Sequence, residues 1–296
     1  MMAGGVLAQL AVEEIVFESL TDIGLTRKIN QDSVGSLVTD GGLLLVVADG
    51  MGGHQGGETA SRIAVESIVD TVRDSSAGPG EALLLAVEEA NQRIYRESQR
   101  DDTLKGMGTT VVALFFQQDA SLWVANVGDS RAYRCRRSKM ERLTSDHSLV
   151  AEMQREGKLT EEEAFTHPKR NQLLRAVGIH QEVVVDISRE DVLPGDVYML
   201  CSDGLHGVLR DKELLEILEL ENRDKAASRF VRAAIERGGP DNVSVQVASV
   251  PGSFLDSAGF WARLLSREGS TAWKAAGAIL LGAILLGVAL ILWAEF

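Results

Sequence analysis

Cysteine is nearly missing from this chain. The two present, Cys135 and Cys201, form no CxxC pair. A disulfide scaffold and a thiolate zinc site are therefore disfavoured, and two isolated thiols suit a reducing compartment. Both sit in apolar, strand-like runs, "RAYRCRR" and "VYMLCSD", where cysteine reads as a packing residue. Basic residues are also in deficit: 30 Lys+Arg face 43 Asp+Glu, a net charge of -13. Non-specific nucleic-acid binding needs a basic footprint that this balance does not supply. Aromatics are 5% of the chain and no aromatic-and-Arg stripe offers a platform for stacked bases. The opening residues, "MMAGGVLAQLAVEE", hold no basic region and meet acids early, so they read as a poor signal peptide.

What is present starts with length. The 296 residues leave room for one large globular domain or two small ones. From Ala275 to Ala294 run 20 uncharged, mostly aliphatic residues. A helix of that length spans roughly 30 Å, the thickness of a bilayer's hydrocarbon core. Trp273 and Trp293 flank the run as interfacial aromatics do, and Arg263, Arg267 and Lys274 precede it. The expectation is a single-pass C-terminal membrane anchor, 273–294, with everything before it cytoplasmic. Pro251 and Gly252 open a juxtamembrane linker, 251–272.

Residues 11–20 and 42–49 read as strands, and 57–75 and 81–96 carry apolar residues at helical spacing. Three β-rich runs follow, "TTVVALFF", "SLWVANVG" and "RAYRCRR". Residues 144–178 are polar, with short helical pieces. The strands "EVVVDIS" and "DVYMLCSDG", two helices over about 211–237, and a last strand "NVSVQVASV" complete the pattern. This order does not alternate strand and helix, which disfavours a doubly wound parallel sheet. It fits an antiparallel sandwich with paired helices outside, covering 12–250 after a short N-terminal extension, 1–11.

The chemistry lies in acids beside Gly or Asn at the ends of apolar runs: Asp32, Asp49, Asp129, Asp203 and Asp241. Strand ends deliver short carboxylates to the rim of a sheet, and neighbouring glycines permit tight turns and close backbone approach. Like charges meeting on one rim repel unless a cation sits between them. Oxygen donors without Cys, and with few His, select Mg²⁺ or Mn²⁺ over Zn²⁺. Each such motif alone is a turn signal first. Spacing does not say that they converge.

In this order the segments "GLTRKINQD", "VVADGMGGHQGGETAS", "MGTTVVAL", "ANVGDSRAYR", "LTSDHSLV", "HPKRNQLLRAVG", "LCSDGL" and "PDNVSV" resemble the metal-dependent type 2C (PPM) serine/threonine protein phosphatases in their bacterial form. The resemblance implies an α+β fold, a four-layer αββα sandwich of two antiparallel sheets flanked by helix pairs. It implies hydrolysis of phosphoserine and phosphothreonine on cytoplasmic proteins by a metal-bridged hydroxide, with no phosphoenzyme. Two Mn²⁺ or Mg²⁺ ions would serve as cofactors, with a third bound more weakly. Asp49 would bridge the two metals, the Gly50 carbonyl would bind one, and Asp203 and Asp241 would complete the other. Asp32 would act beside the metals, Asp129 would hold the weaker third ion, and Arg27 would grip the substrate phosphate. Arg27 also reads as a surface residue or an ion-pair partner of one of the acids. The segment 144–178 would form a mobile flap bordering the site.

Two departures stand out. Animal members carry a Glu where this chain has Gln31, a neutral oxygen donor, and bacterial relatives often share the Gln. Animal members also carry a His, a candidate general acid, where Met51 stands here. His54 and a metal-bound water are two substitute proton donors, and His54 reads equally well as a loop histidine bonded to backbone. His147 reads as a structural residue of the flap; His167, His180 and His206 as structural or surface residues. A cognate Ser/Thr kinase is the expected antagonist and phosphorylated Ser/Thr proteins the expected partners, with no nucleic acid. Two other readings stay open: a catalytically silent docking module of the same fold, and a phosphatase dedicated to an anti-sigma-factor antagonist. Retention of Asp49, Asp203 and Asp241 argues against the silent module.

Overall fold

The computed structural model describes Leu10 and residues 12–53, 55–219 and 225–252. The expected anchor, the linker beyond Gly252, His54 and the N-terminal extension apart from Leu10 lie outside the described residues. Among the described residues no helix is long and apolar enough to cross a membrane.

Among the described residues eleven strands form two sheets. One contains β1 (Val16–Asp22), β7 (Arg131–Arg136), β8 (Lys139–Arg142), β10 (Val197–Cys201) and β11 (Val243–Ser249), in the order β1-β11-β10-β7-β8. The other contains β2 (Asp32–Val38), β3 (Gly42–Met51), β5 (Val111–Gln117), β6 (Ser121–Val127) and β9 (Asp186–Asp191), in the order β2-β3-β5-β6-β9, with the two-residue β4 (Gly108–Thr109) paired to β3. Every pairing is antiparallel.

Four layers follow from the strand sequences. In β3, "GLLLVVADGM", successive side chains point to opposite faces and both faces are apolar, so both must be covered. Leu44, Val46 and Ala48 pack with Ala60, Ala64 and Ile68 of α1 (Gly56–Asp74) and Leu83, Ala86 and Val87 of α2 (Pro79–Arg100). Leu43, Leu45 and Val47 are buried on the other face. In β10, Val197, Met199 and Cys201 pack with Leu214 of α6 (Asp211–Glu219) and Phe230 and Ala234 of α7 (Ala226–Glu236). Tyr198 turns the other way and meets Phe116 of β5 edge-on at 5.2 Å, which joins the two sheets. Each fully buried Leu or Phe here contributes about 1.5–3 kcal/mol. The expected αββα sandwich is the observed arrangement.

Three elements depart from the sequence reading. The first expected strand opens as a 3₁₀ turn, Val12–Glu14, before β1. The strand expected at "EVVVDIS" is hydrogen-bonded only from Asp186 onward. Its partner β6 is matched no further than Asn126 and ends at Val127, before a turn at Gly128 (φ 104°), so Val183–Val185 have no strand to pair with. The edge strand β2 gave no clear signal, because "DSVGSLV" is only partly covered and mixes small and polar residues. The segment 144–178 holds α3 (Leu149–Arg155) and α4 (Glu161–Thr166), as its short helical patterns suggested. A four-residue helix, α5 (Asp203–His206), follows β10.

Candidate active site

Antiparallel pairing decides where the acids go. The start of β2 pairs with the end of β3, and Asp32 is the register partner of Asp49. The end of β10 pairs with the start of β7 and, on its other side, with β11, so Asp203, the 128–130 turn and Asp241 gather at one end of the β1-β11-β10-β7-β8 sheet. Five acids from distant stretches of chain thus share one rim.

Each is fixed by its backbone. Asp49 donates its N–H to Thr110 Oγ1 (3.0 Å), and its carbonyl accepts from Thr110 N–H (2.8 Å) and Thr109 Oγ1 (2.8 Å). Gly50 donates to the Gln31 carbonyl (3.0 Å); a Cβ there would lie 2.0 Å from the Gly57 carbonyl, so no larger residue lets β3 lie against the start of α1. Gly204 repeats the device, because a Cβ would fall 1.9 Å from the Asn242 carbonyl. Both glycines directly follow an acid, and both let its segment lie against a neighbouring backbone. Asn242 binds the other side of the rim: it accepts from Gln31 N–H (2.8 Å) and donates to the carbonyls of Ile23 (2.9 Å) and Ile29 (3.1 Å).

The electrostatics are those of crowded anions. Burial first, then Asp32, Asp203, Asp129 and Asp241, push the Asp49 carboxyl well above the usual range. Burial raises Asp32 to about 7, although Ser202 donates its hydroxyl to Asp32 Oδ2 at 2.7 Å. Asp129 and Asp203 are raised by burial and by their acidic neighbours. The charge of Asp203 is among those that raise Asp49, so the two carboxyls are neighbours on the rim. Asp241 turns to Arg27, whose Nη2 sits 2.8 Å from Asp241 Oδ2, the ion pair that was one of the alternatives for that arginine. Among the described residues no three acid, His or Cys side chains are gathered as a group that could hold a metal. The chemistry of the donors nevertheless suits a hard divalent ion: all are oxygens, and several dehydrated carboxylates repel each other without a counter-charge.

A cleft of about 580 Å³ opens beside this rim and is walled by Asp129, Asp203, Asp241 and Arg27. Asp32 and Asp49 are not part of its wall. The opposite wall is the 144–178 segment, with Phe165 and Arg170. That segment is pinned at both roots. His147 accepts from Gly128 N–H at Nδ1 (3.0 Å) and contacts Asp186 through Nε2 (3.1 Å), and Val177 exchanges backbone bonds with Thr109.

Sequence reading missed several contributors. Thr110, Ser202 and Asn242 lie inside the quoted segments, but nothing in their type announces a bond to a particular acid. His206 was read as structural or surface; it is buried, and its Nε2 lies 2.9 Å from the Asp129 carbonyl. Met51 pairs with Gly108 on β4, and Cys135 and Cys201 are buried and unbridged.

A family model described as Protein phosphatase 2C matches residues 26–249. The serine/threonine protein phosphatase PstP of Mycobacterium tuberculosis is 37% identical over 235 residues, which are 79% of this chain and 45% of PstP. The chain thus matches less than half the length of that relative. The serine/threonine phosphatase stp of Listeria monocytogenes is 38% identical over 240 residues, 77% of this chain and 93% of stp. The crystal structure of M. tuberculosis PstP/Ppp superposes with a TM-score of 0.74 at 35% identity, covering 80% of this chain and 99% of that one. The PstP catalytic domain, solved in complex with two manganese ions, gives 0.72 at 36% identity, covering 80% and 98%. The chain belongs to the protein phosphatase 2C family.

Proposed function

We propose that the chain is a metal-dependent protein-serine/threonine phosphatase. The observation that carries this is the rim itself: Asp32, Asp49, Asp129, Asp203 and Asp241 come from five separate segments and crowd at one end of two sheets. Asp49, the Gly50 carbonyl, Asp203 and Asp241 would hold two Mn²⁺ or Mg²⁺ ions, with Asp129 available to a third. Bound there, the ions would supply an activated water and Lewis-acid stabilisation of the phosphoryl oxygens. Arg27 grips the substrate phosphate with its guanidinium fork once it leaves Asp241. Asp32, bonded to Ser202, steadies the water side of the site. Thr109 and Thr110 hold the Asp49 backbone so that its carboxylate stays aimed at the rim.

Phosphate release from a phosphothreonine peptide tests this reading. It should need Mn²⁺ or Mg²⁺ and stop with EDTA. Metal-independent turnover would sink it, and absence of any turnover would favour the silent docking module.

The uncharged run Ala275–Ala294 supports a membrane tether, with the catalytic domain on the cytoplasmic side. A tether concentrates the enzyme near substrates on the same membrane, including a membrane-linked Ser/Thr kinase. Cell fractionation of the full chain and of a chain lacking residues 273–296 tests it; a full chain that stays in the soluble fraction refutes it.

A further inference from the structure

Four arginines besides Arg27 line the cleft, and three of them face acids. Arg131 Nη2 is 2.6 Å from Asp146 Oδ2, Arg142 Nη1 is 3.6 Å from the same oxygen, and Arg210 Nη2 is 2.7 Å from Glu162. Arg170 is different. Its Nη1 donates to two carbonyls, Phe165 (3.0 Å) and Gly207 (3.2 Å), and its guanidinium carbon lies 5.9 Å from the Phe165 ring centre. No carboxylate pairs with it among the described residues. In a chain of net charge -13, an arginine in a cleft lined by six acids forms no ion pair among the described residues.

Its geometry suits an incoming anion. The two carbonyl bonds tie the guanidinium to both the 144–178 segment and the residue after α5, so its orientation is set before any ligand arrives. Nε and Nη2 carry no protein acceptor among the described residues, and together they form the edge that meets a planar oxyanion with two parallel bonds. Its positive field reaches Asp203, as that of Arg27 does, so the two arginines act on the same acid at the cleft. The cleft, at about 580 Å³, has room for more than one phosphorylated side chain.

We infer that Arg170 is a specificity residue that binds a second oxyanion on the substrate, a carboxylate or phosphate on a residue neighbouring the phosphorylated one. This rests on the phosphatase reading and deepens it. Arg27 takes the phosphate that leaves, and Arg170 takes the charge that stays.

The test uses the full chain with Mn²⁺, p-nitrophenyl phosphate, and three phosphothreonine peptides. The peptides differ only in a flanking residue, which is Gln, Glu or a second phosphothreonine. The wild type should show kcat/KM at least about fivefold higher for the Glu or doubly phosphorylated peptide than for the Gln peptide, carried by KM. Glu alone preferred identifies a carboxylate reader, and the doubly phosphorylated peptide alone preferred identifies a phosphate reader. Arg170→Met should bring the three to parity, and Arg170→Lys should recover part of the preference. Parity in the wild type overturns the inference whether or not the variants fold, and so does a preference that survives in Arg170→Met. If p-nitrophenyl phosphate itself is not hydrolysed, the phosphatase reading falls and takes this one with it.

Discussion

Asp32 on β2 stands directly opposite Asp49 on β3, a register pair of two acids in the interior end of a sheet. Like charges facing each other across strands destabilise a sheet. The rest of the fold holds this pair together against its own repulsion.

Removing one charge should therefore separate stability from catalysis. Asp49→Asn is expected to melt a few degrees higher than wild type in EDTA, because a dehydrated anion and its repulsions are gone. The same variant should lose the Mn²⁺-induced rise in Tm and at least about 10³-fold in kcat, on the scale of a lost electrostatic catalyst. A calorimetric melt with and without Mn²⁺ checks both; a lower Tm in EDTA would contradict the repulsion account.

Arg27 and Asp241 form the second informative pair. On the proposed function, a metal would compete for this carboxylate and a substrate phosphate for this guanidinium. Arg27→Ala should raise KM for a phosphopeptide by about 10- to 100-fold, the value of a charge-assisted bond. It should leave Mn²⁺ affinity equal or tighter, since a competing cation has been removed from Asp241. Titration calorimetry with Mn²⁺ decides: weaker metal binding would mean that the arginine supports the acid and does not compete for it.

Acid sensitivity has a defined source away from the carboxylates. Burial, then the charge of Arg131, push His206 down to about 3, and burial lowers His147 as well. Below about pH 6.5 the unfolded chain takes up protons that these folded rings refuse. Their contribution is full above that pH and is lost as pH falls, by up to about 1.4 kcal/mol per unit for His206. The raised carboxyls act in the opposite sense, so the comparison must be with His206→Gln, which should lose less stability between pH 7.5 and 5.5. Parallel melting curves for the two proteins would rule out this source.

Ser202 ties Asp32 to the backbone of β11: it donates to Asp32 Oδ2 and accepts from Ser244 N–H (3.0 Å). Ser202→Ala leaves both partners buried and unpaired, at a cost of about 1–3 kcal/mol. Urea titration should show a lower midpoint with an unchanged slope. A midpoint equal to wild type would show that water replaces the hydroxyl.

The sandwich and the acids were legible because each rests on a local signal. Strands such as "LLLVVAD" are apolar on both faces, and an acid followed by glycine marks their ends. The Gly50 and Gly204 contacts explain why that glycine is needed, but only the folded chain shows what it touches. Arg27 shows the opposite limit. Its partner Asp241 lies 214 residues away, and no spacing rule selects one acid among five. Ser202 and Asn242 were hidden for a similar reason: a small polar side chain declares that it can bond and not to whom. The Val183–Val185 run is β-branched like a strand, but a strand also needs a partner, and β6 has already turned away.

The order of one sheet has a consequence for synthesis. The strand β11 comes last in the described chain, yet it lies between β1, the first strand, and β10. A chain emerging from the ribosome carries β1 without β11, its sheet neighbour among the described residues, until residue 243 onward appears, and Asp241 arrives just before that strand. The centre cannot be assembled stepwise from the N-terminus. A chain stopped before residue 243 lacks β11, leaves β1 unpaired and separates it from β10, so premature termination leaves the first sheet split.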